Sequence, residues 1–81
     1  MASRKAERHV LQVPGHIIID GIPYPCTVYD RSITGARIVN FGNIELPAQF
    51  LIQSNSPAQP CWLIWRDERE AGLSFSAPEA G

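Results

Sequence analysis

No stretch of this chain is apolar for long enough to cross a bilayer, since the longest such run is Cys61-Trp62-Leu63-Ile64-Trp65 and a membrane helix needs about 20 residues. The opening Met1-Ala2-Ser3-Arg4 passes directly into polar residues without the apolar core of a secretory signal, so the expected compartment is the cytoplasm, with no membrane insertion. Charge of one sign is also lacking. Seven basic residues face eight acidic ones for a net charge of −1, which removes the global field that would draw the protein to DNA or an anionic surface. Only two cysteines are present, Cys26 and Cys61, and neither stands in a CxxC or Cys/His cluster. That argues against a zinc site and reads as two reduced thiols used as small core hydrophobes. His9 and His16 have no acidic or nucleophilic neighbour at an interpretable spacing, so no enzyme and no cofactor are expected. Internal repeats, low-complexity tracts and long runs of like charge are missing too, which leaves no linker within the chain.

What is present is an ordinary globular composition, 44% hydrophobic and 19% charged over 81 residues, and hence a single domain. A chain of this size buries only about 60% of the surface its unfolded form exposes, so a surface site is expected rather than an enclosed catalytic cavity. Local positive charge gathers at the N-terminus, where Arg4, Lys5 and Arg8 stand with only Glu7 against them.

Gly, Pro, Asn or Asp cuts the chain at intervals of about 8 to 12 residues, the spacing of an all-β sandwich or barrel. His16-Ile17-Ile18-Ile19-Asp20 is β-branched and leads into a turn at Gly21-Ile22-Pro23. Cys26-Thr27-Val28-Tyr29 alternates as a half-buried strand, and Pro25 just before it marks an edge position. Ala36-Arg37-Ile38-Val39-Asn40 alternates again, with Ala36 and Ile38 on one face. Gln49–Gln53 and Cys61–Arg66 follow, the latter with Trp62 and Trp65 on opposite faces, so that one ring is core and the other partly exposed. Asp67-Glu68-Arg69-Glu70 is a polar hairpin connection into Gly72–Ser76, where Leu73 and Phe75 share a face. Six short antiparallel strands with no substantial C-terminal helix favour closure into a small barrel, which removes exposed edges. The expected organisation is a flexible N-terminal arm over 1–12, a barrel over 13–77 and a loose tail over 78–81.

Two short patterns carry chemistry. Arg4 and Arg8 form RxxxR, a spacing that six arginines produce by chance about 0.4 times in a chain of this length. Asp30, Ser32 and Gly35 form DxSxxG in a strand-to-strand connection, a pattern whose chance expectation is about 0.015. Asp30 and Ser32 favour turns and Gly35 tolerates positive φ, so the loop is expected to turn sharply and present Asp30 outward. A carboxylate there accepts a pair of N–H donors such as those on the Watson-Crick edge of guanine. Arginine forks grip O6 and N7 of that base, or phosphate, and stack on base faces. Read separately, the loop would be a turn closing a hairpin and the arginines a solvated tail.

Taken together, in this order and with one strand between, the two patterns resemble the PilZ family. Cys61-Trp62-Leu63-Ile64-Trp65-Arg66 followed by Ala71-Gly72-Leu73-Ser74-Phe75 is similar to that family's closing hairpin. The resemblance implies a six-stranded bacterial β-barrel that binds cyclic di-GMP, with Arg4 and Arg8 holding phosphate and guanine and Asp30, Ser32 and Gly35 holding a guanine. Lys5 and Arg31, at free positions of the motifs, are candidates for further phosphate contacts, and Ser3 stands where the family varies the number of ligands bound. The signal would pass to an unidentified downstream protein as the arm folds over the nucleotide. Two other readings stand beside it. One is a PilZ-fold adaptor that binds no nucleotide. The other is a barrel that stacks single-stranded nucleic acid on Trp62, Trp65, Tyr24 and Tyr29, for which a basic groove is missing.

Overall fold

The computed structural model describes residues 9–55 and 57–78. They form six strands: β1 (His9–Ile19), β2 (Ile22–Arg31), β3 (Gly35–Val39), β4 (Gln49–Gln53), β5 (Gln59–Arg66) and β6 (Glu70–Ser74). All pairings are antiparallel, and the order β1-β2-β3-β6-β5-β4 closes when β4 returns to β1 with Ile52 opposite Ile17. The fold is therefore the expected all-β barrel, without a helix among the described residues. Closure satisfies every strand edge with a neighbour, which a sheet of this size could not otherwise do.

Turn chemistry sets the first hairpin. Asp20 and Gly21 have φ of 53° and 80°, the left-handed pair of a tight turn whose twist suits the strands it joins. Ile19 then faces Ile22 directly, so the turn falls one residue earlier than Gly21-Ile22-Pro23, and Ile22 and Pro23 belong to β2. Pro23 and Pro25 lie before Thr27, where the register with β3 begins. On that side of β2 their missing N–H groups cost no ladder bond.

β1 starts at His9, inside the segment that the sequence reading assigns to the arm. His9 lies opposite Arg31 and Val10 opposite Asp30, with the register shifting between Val10 and Val13. Gln12, at that shift, has φ of 50°.

The barrel interior is filled as the alternation predicts. On β3, Ala36 and Ile38 are buried, and they meet Val28 from β2, Ile17 from β1 and Leu73 from β6. β5 departs from its prediction. Cys61 is fully buried, but the register shifts between Leu63 and Trp65, so that Trp62 faces Ser74, Leu63 faces Leu73 and Trp65 faces Gly72. Partners across an antiparallel ladder share a face, and Leu73 points inward. The inserted residue thus puts both tryptophans on the outer wall, with Trp65 44% exposed, and Cys61 and Leu63 take the core positions. The expectation of one core tryptophan is corrected: an extra residue inverts the alternation beyond it.

The connection between β3 and β4 is tied down from β5. Arg66 stacks on the ring of Phe41, 4.9 Å from its centroid, and donates to the Ile44 carbonyl at 2.8 Å.

Candidate functional site

The DxSxxG segment joins β2 to β3 at one end of the barrel. Ser32 N–H donates to the Gly35 carbonyl at 2.8 Å, and Ser32 Oγ accepts from Thr34 N–H at 3.2 Å while lying 3.1 Å from Thr34 Oγ1. The serine thus supplies the hydroxyl that replaces a backbone turn bond. Ile33 sits at the tip, 95% exposed. Across the loop, Phe75 N–H donates to the Thr34 carbonyl at 2.9 Å, anchoring it to the end of β6.

Gly35 serves this loop differently from the sequence reading. Among the described residues the positive-φ glycines are Gly21 and Gly42. At Gly35 the constraint is space: a Cβ there would collide with the carbonyl oxygen of Leu73 on β6. Glycine is needed because two backbones approach closely, not because the chain turns left-handed.

Asp30 owes its placement to a further register shift, between β2 and β3. Val28 lies opposite Ile38 and Asp30 opposite Arg37, so two residues of β2 span one of β3 and Tyr29 is the inserted one. Strict alternation would send Asp30 inward beside Val28. The insertion instead turns it to the outer wall, the face of Arg37. It is not exposed there, however. The expected outward presentation is corrected, because Asp30 is only 1% exposed and its Oδ2 accepts from the Arg37 guanidinium at 2.7 Å.

Arg37 is in turn held from three sides. A second terminal nitrogen lies 3.4 Å from Glu70 Oε1 on β6, and the guanidinium covers the Tyr29 ring at 4.8 Å. The hydrogen bond to Asp30 raises its pKa above the ordinary arginine value. Together these groups form a cluster in which the Arg37 guanidinium lies between two carboxylates and an aromatic ring.

Beyond the shift, Arg31 pairs with Ala36 and so lies over the mouth of the barrel. Its guanidinium sits 5.3 Å from the Phe75 centroid and donates to Gln59 Oε1 at 3.4 Å. Arg31 therefore lids the core, with its charge directed to the rim.

Of the residues that the sequence singles out, Asp30, Ser32, Gly35 and Arg31 gather within this one end of the barrel. Arg4, Lys5 and Arg8 lie outside the described residues. His9, the residue after Arg8 in sequence, has Arg31 as its partner across the β1–β2 ladder. Sequence reasoning missed Arg37. Its only signal was its position opposite Ala36 and Ile38 in the alternation of β3, and nothing local marks the shift that brings Asp30 to it. No family model matches the chain, and no curated protein matches it.

Proposed function

We propose that the protein is a PilZ-type receptor that binds the bacterial second messenger cyclic di-GMP and passes the signal to a partner protein. The observation that carries this reading is the β1–β2 register. His9 opposite Arg31 and Val10 opposite Asp30 bring the residues that follow RxxxR alongside the start of DxSxxG. Arg8, 22 residues before Asp30 in sequence, directly precedes His9, whose partner across the ladder is Arg31. Phosphate and guanine demand this combination: guanidinium donors for the anion and a carboxylate for the paired N–H groups of the base.

In this reading Asp30 accepts from guanine N1–H and N2–H, Ser32 and the backbone around Gly35 contact the same base, and Arg4 and Arg8 hold phosphate and the second base face. Asp30 is 1% exposed, so the nucleotide reaches it only as its surroundings open. Occupancy is thereby coupled to a change of shape at the β1 end of the barrel, and this change is the signal a partner reads.

Two observations favour a second reading, a PilZ-fold adaptor that binds no nucleotide. Asp30 already holds an ion pair, and Ile33 offers an apolar side chain to solvent at the loop tip. Calorimetry separates the two. Titration with cyclic di-GMP is expected to give saturable heat in the wild-type protein and none in Arg8→Ala or Asp30→Ala, with GTP and oligo-dT not competing. Silence of the wild-type protein at high excess would leave the adaptor, and heat from oligo-dT alone would assign the barrel to single-stranded nucleic acid.

A further inference from the structure

The wall that carries Asp30 holds a residue outside both motifs. Cα partners run in one row from Asp30 on β2 to Arg37 on β3, Gly72 on β6 and Trp65 on β5. Arg37 is the only cation of that row, and it touches groups from two neighbouring strands: Asp30 Oδ2 at 2.7 Å, the Tyr29 ring at 4.8 Å and Glu70 Oε1 at 3.4 Å. Its Nε–H is buried and makes no hydrogen bond, a cost usually retained for a reason beyond packing. A planar guanidinium fixed on one carboxylate oxygen fixes the plane of that carboxylate as well.

The orientation of the Asp30 carboxylate decides which base it can read. A carboxylate presents two acceptors, the complement of N1–H and N2–H on guanine. The corresponding edge of adenine offers one donor, N6–H, and one acceptor, N1, so one carboxylate oxygen would face a lone pair. Asp30 is 1% exposed and Arg37 holds its Oδ2 at 2.7 Å. We infer that Arg37 sets the base selectivity of the nucleotide site, holding Asp30 as an oriented carboxylate so that the site accepts guanine and rejects adenine. Arg37 acts through Asp30 and is thus a positioning residue. This inference rests on the receptor reading above.

The test compares the affinities of cyclic di-GMP and cyclic di-AMP for the wild-type protein, Arg37→Gln and Arg37→Lys, with melting temperatures recorded alongside. The wild-type protein is expected to prefer cyclic di-GMP strongly. In Arg37→Gln that preference falls by about tenfold or more, the scale of one well-placed bidentate contact to a base. Arg37→Lys keeps the charge without the fork, so it falls between the two and recovers part of the preference. A merely structural role would weaken both ligands equally and leave their ratio unchanged, and that result in either folded variant overturns the inference. Should Arg37→Gln fail to fold, the ratio in Arg37→Lys decides: a drop supports the role and an unchanged ratio removes it. Failure of the wild-type protein to bind cyclic di-GMP at all would instead overturn the receptor reading, which keeps the two failures distinct.

Discussion

Gly35 lies so close to Leu73 on the neighbouring strand that a methyl group at residue 35 would overlap the Leu73 carbonyl oxygen. The obstacle is backbone on β6, which cannot rotate out of the way as a side chain can. The glycine of DxSxxG is thus required by the barrel before any ligand is considered.

Gly35→Ala should therefore destabilise the free protein. Overpacking of this kind costs about 1–3 kcal/mol, and in a domain of this size each kcal/mol lowers the melting temperature by about 4–8 °C. Thermal unfolding followed by circular dichroism checks this. A melting temperature equal to that of the wild-type protein would show that β3 and β6 can separate without cost and that Gly35 is kept for another reason.

Gly72 makes the opposite case. A Cβ there would meet the indole of Trp65, the outer end of a side chain that is 44% exposed. In a Trp62→Phe background, Gly72→Ala should lift the indole into solvent and shift its fluorescence to longer wavelength, with a smaller loss of stability than Gly35→Ala. An unshifted spectrum would mean that the ring does not lie over Gly72 in solution.

Asp67 closes the β5–β6 turn. Its Oδ1 accepts from Arg69 N–H at 2.8 Å and Glu70 N–H at 2.9 Å, and these bonds lower its pKa below the ordinary 3.8. A carboxylate depressed in the folded state adds stability above its unfolded value, and that stability is lost as the pH falls through the folded value. Asp67→Ala should accordingly be less stable than the wild-type protein at pH 7, with the gap shrinking as the pH is taken below 3.8. Urea midpoints across that range measure the gap. A constant difference would assign the effect to packing and not to charge.

Cys26 and Cys61 face the core, where burial pushes their thiols up to about 11 and about 12. A raised folded value holds the proton in the native state, so stability should be steady below the ordinary 9.0 and fall as the pH rises from there through 11. At pH 8 a thiol-reactive disulfide reagent should label the native protein slowly and both cysteines promptly in denaturant. Prompt labelling of the native protein would contradict their placement inside the barrel.

The strands themselves could be read from sequence because each signal is local. The β-branched run Ile17–Ile19 ahead of a glycine turn, alternation through Ala36, Arg37 and Ile38, and the polar turn at Asp67 all act within a few residues of where they are seen. Two inserted residues, Tyr29 in β2 and Ile64 in β5, could not be read this way. An insertion is defined by the partner strand, and it inverts which face every later residue takes. That inversion places both tryptophans outside the barrel and carries Asp30 to Arg37. It also leaves Arg31 over the barrel mouth instead of free in the loop. The motif positions were visible in sequence, whereas the company they keep depends on pairing with β3 and β6.

The most direct test of the central claim is a titration of the isotope-labelled protein with cyclic di-GMP, followed through its backbone amide resonances. The account predicts saturable shifts concentrated at His9 and Val10 and from Asp30 to Gly35, with residues 40–43 at the far end of the barrel unmoved. Shifts centred on residues 40–43, or none at large ligand excess, would contradict it.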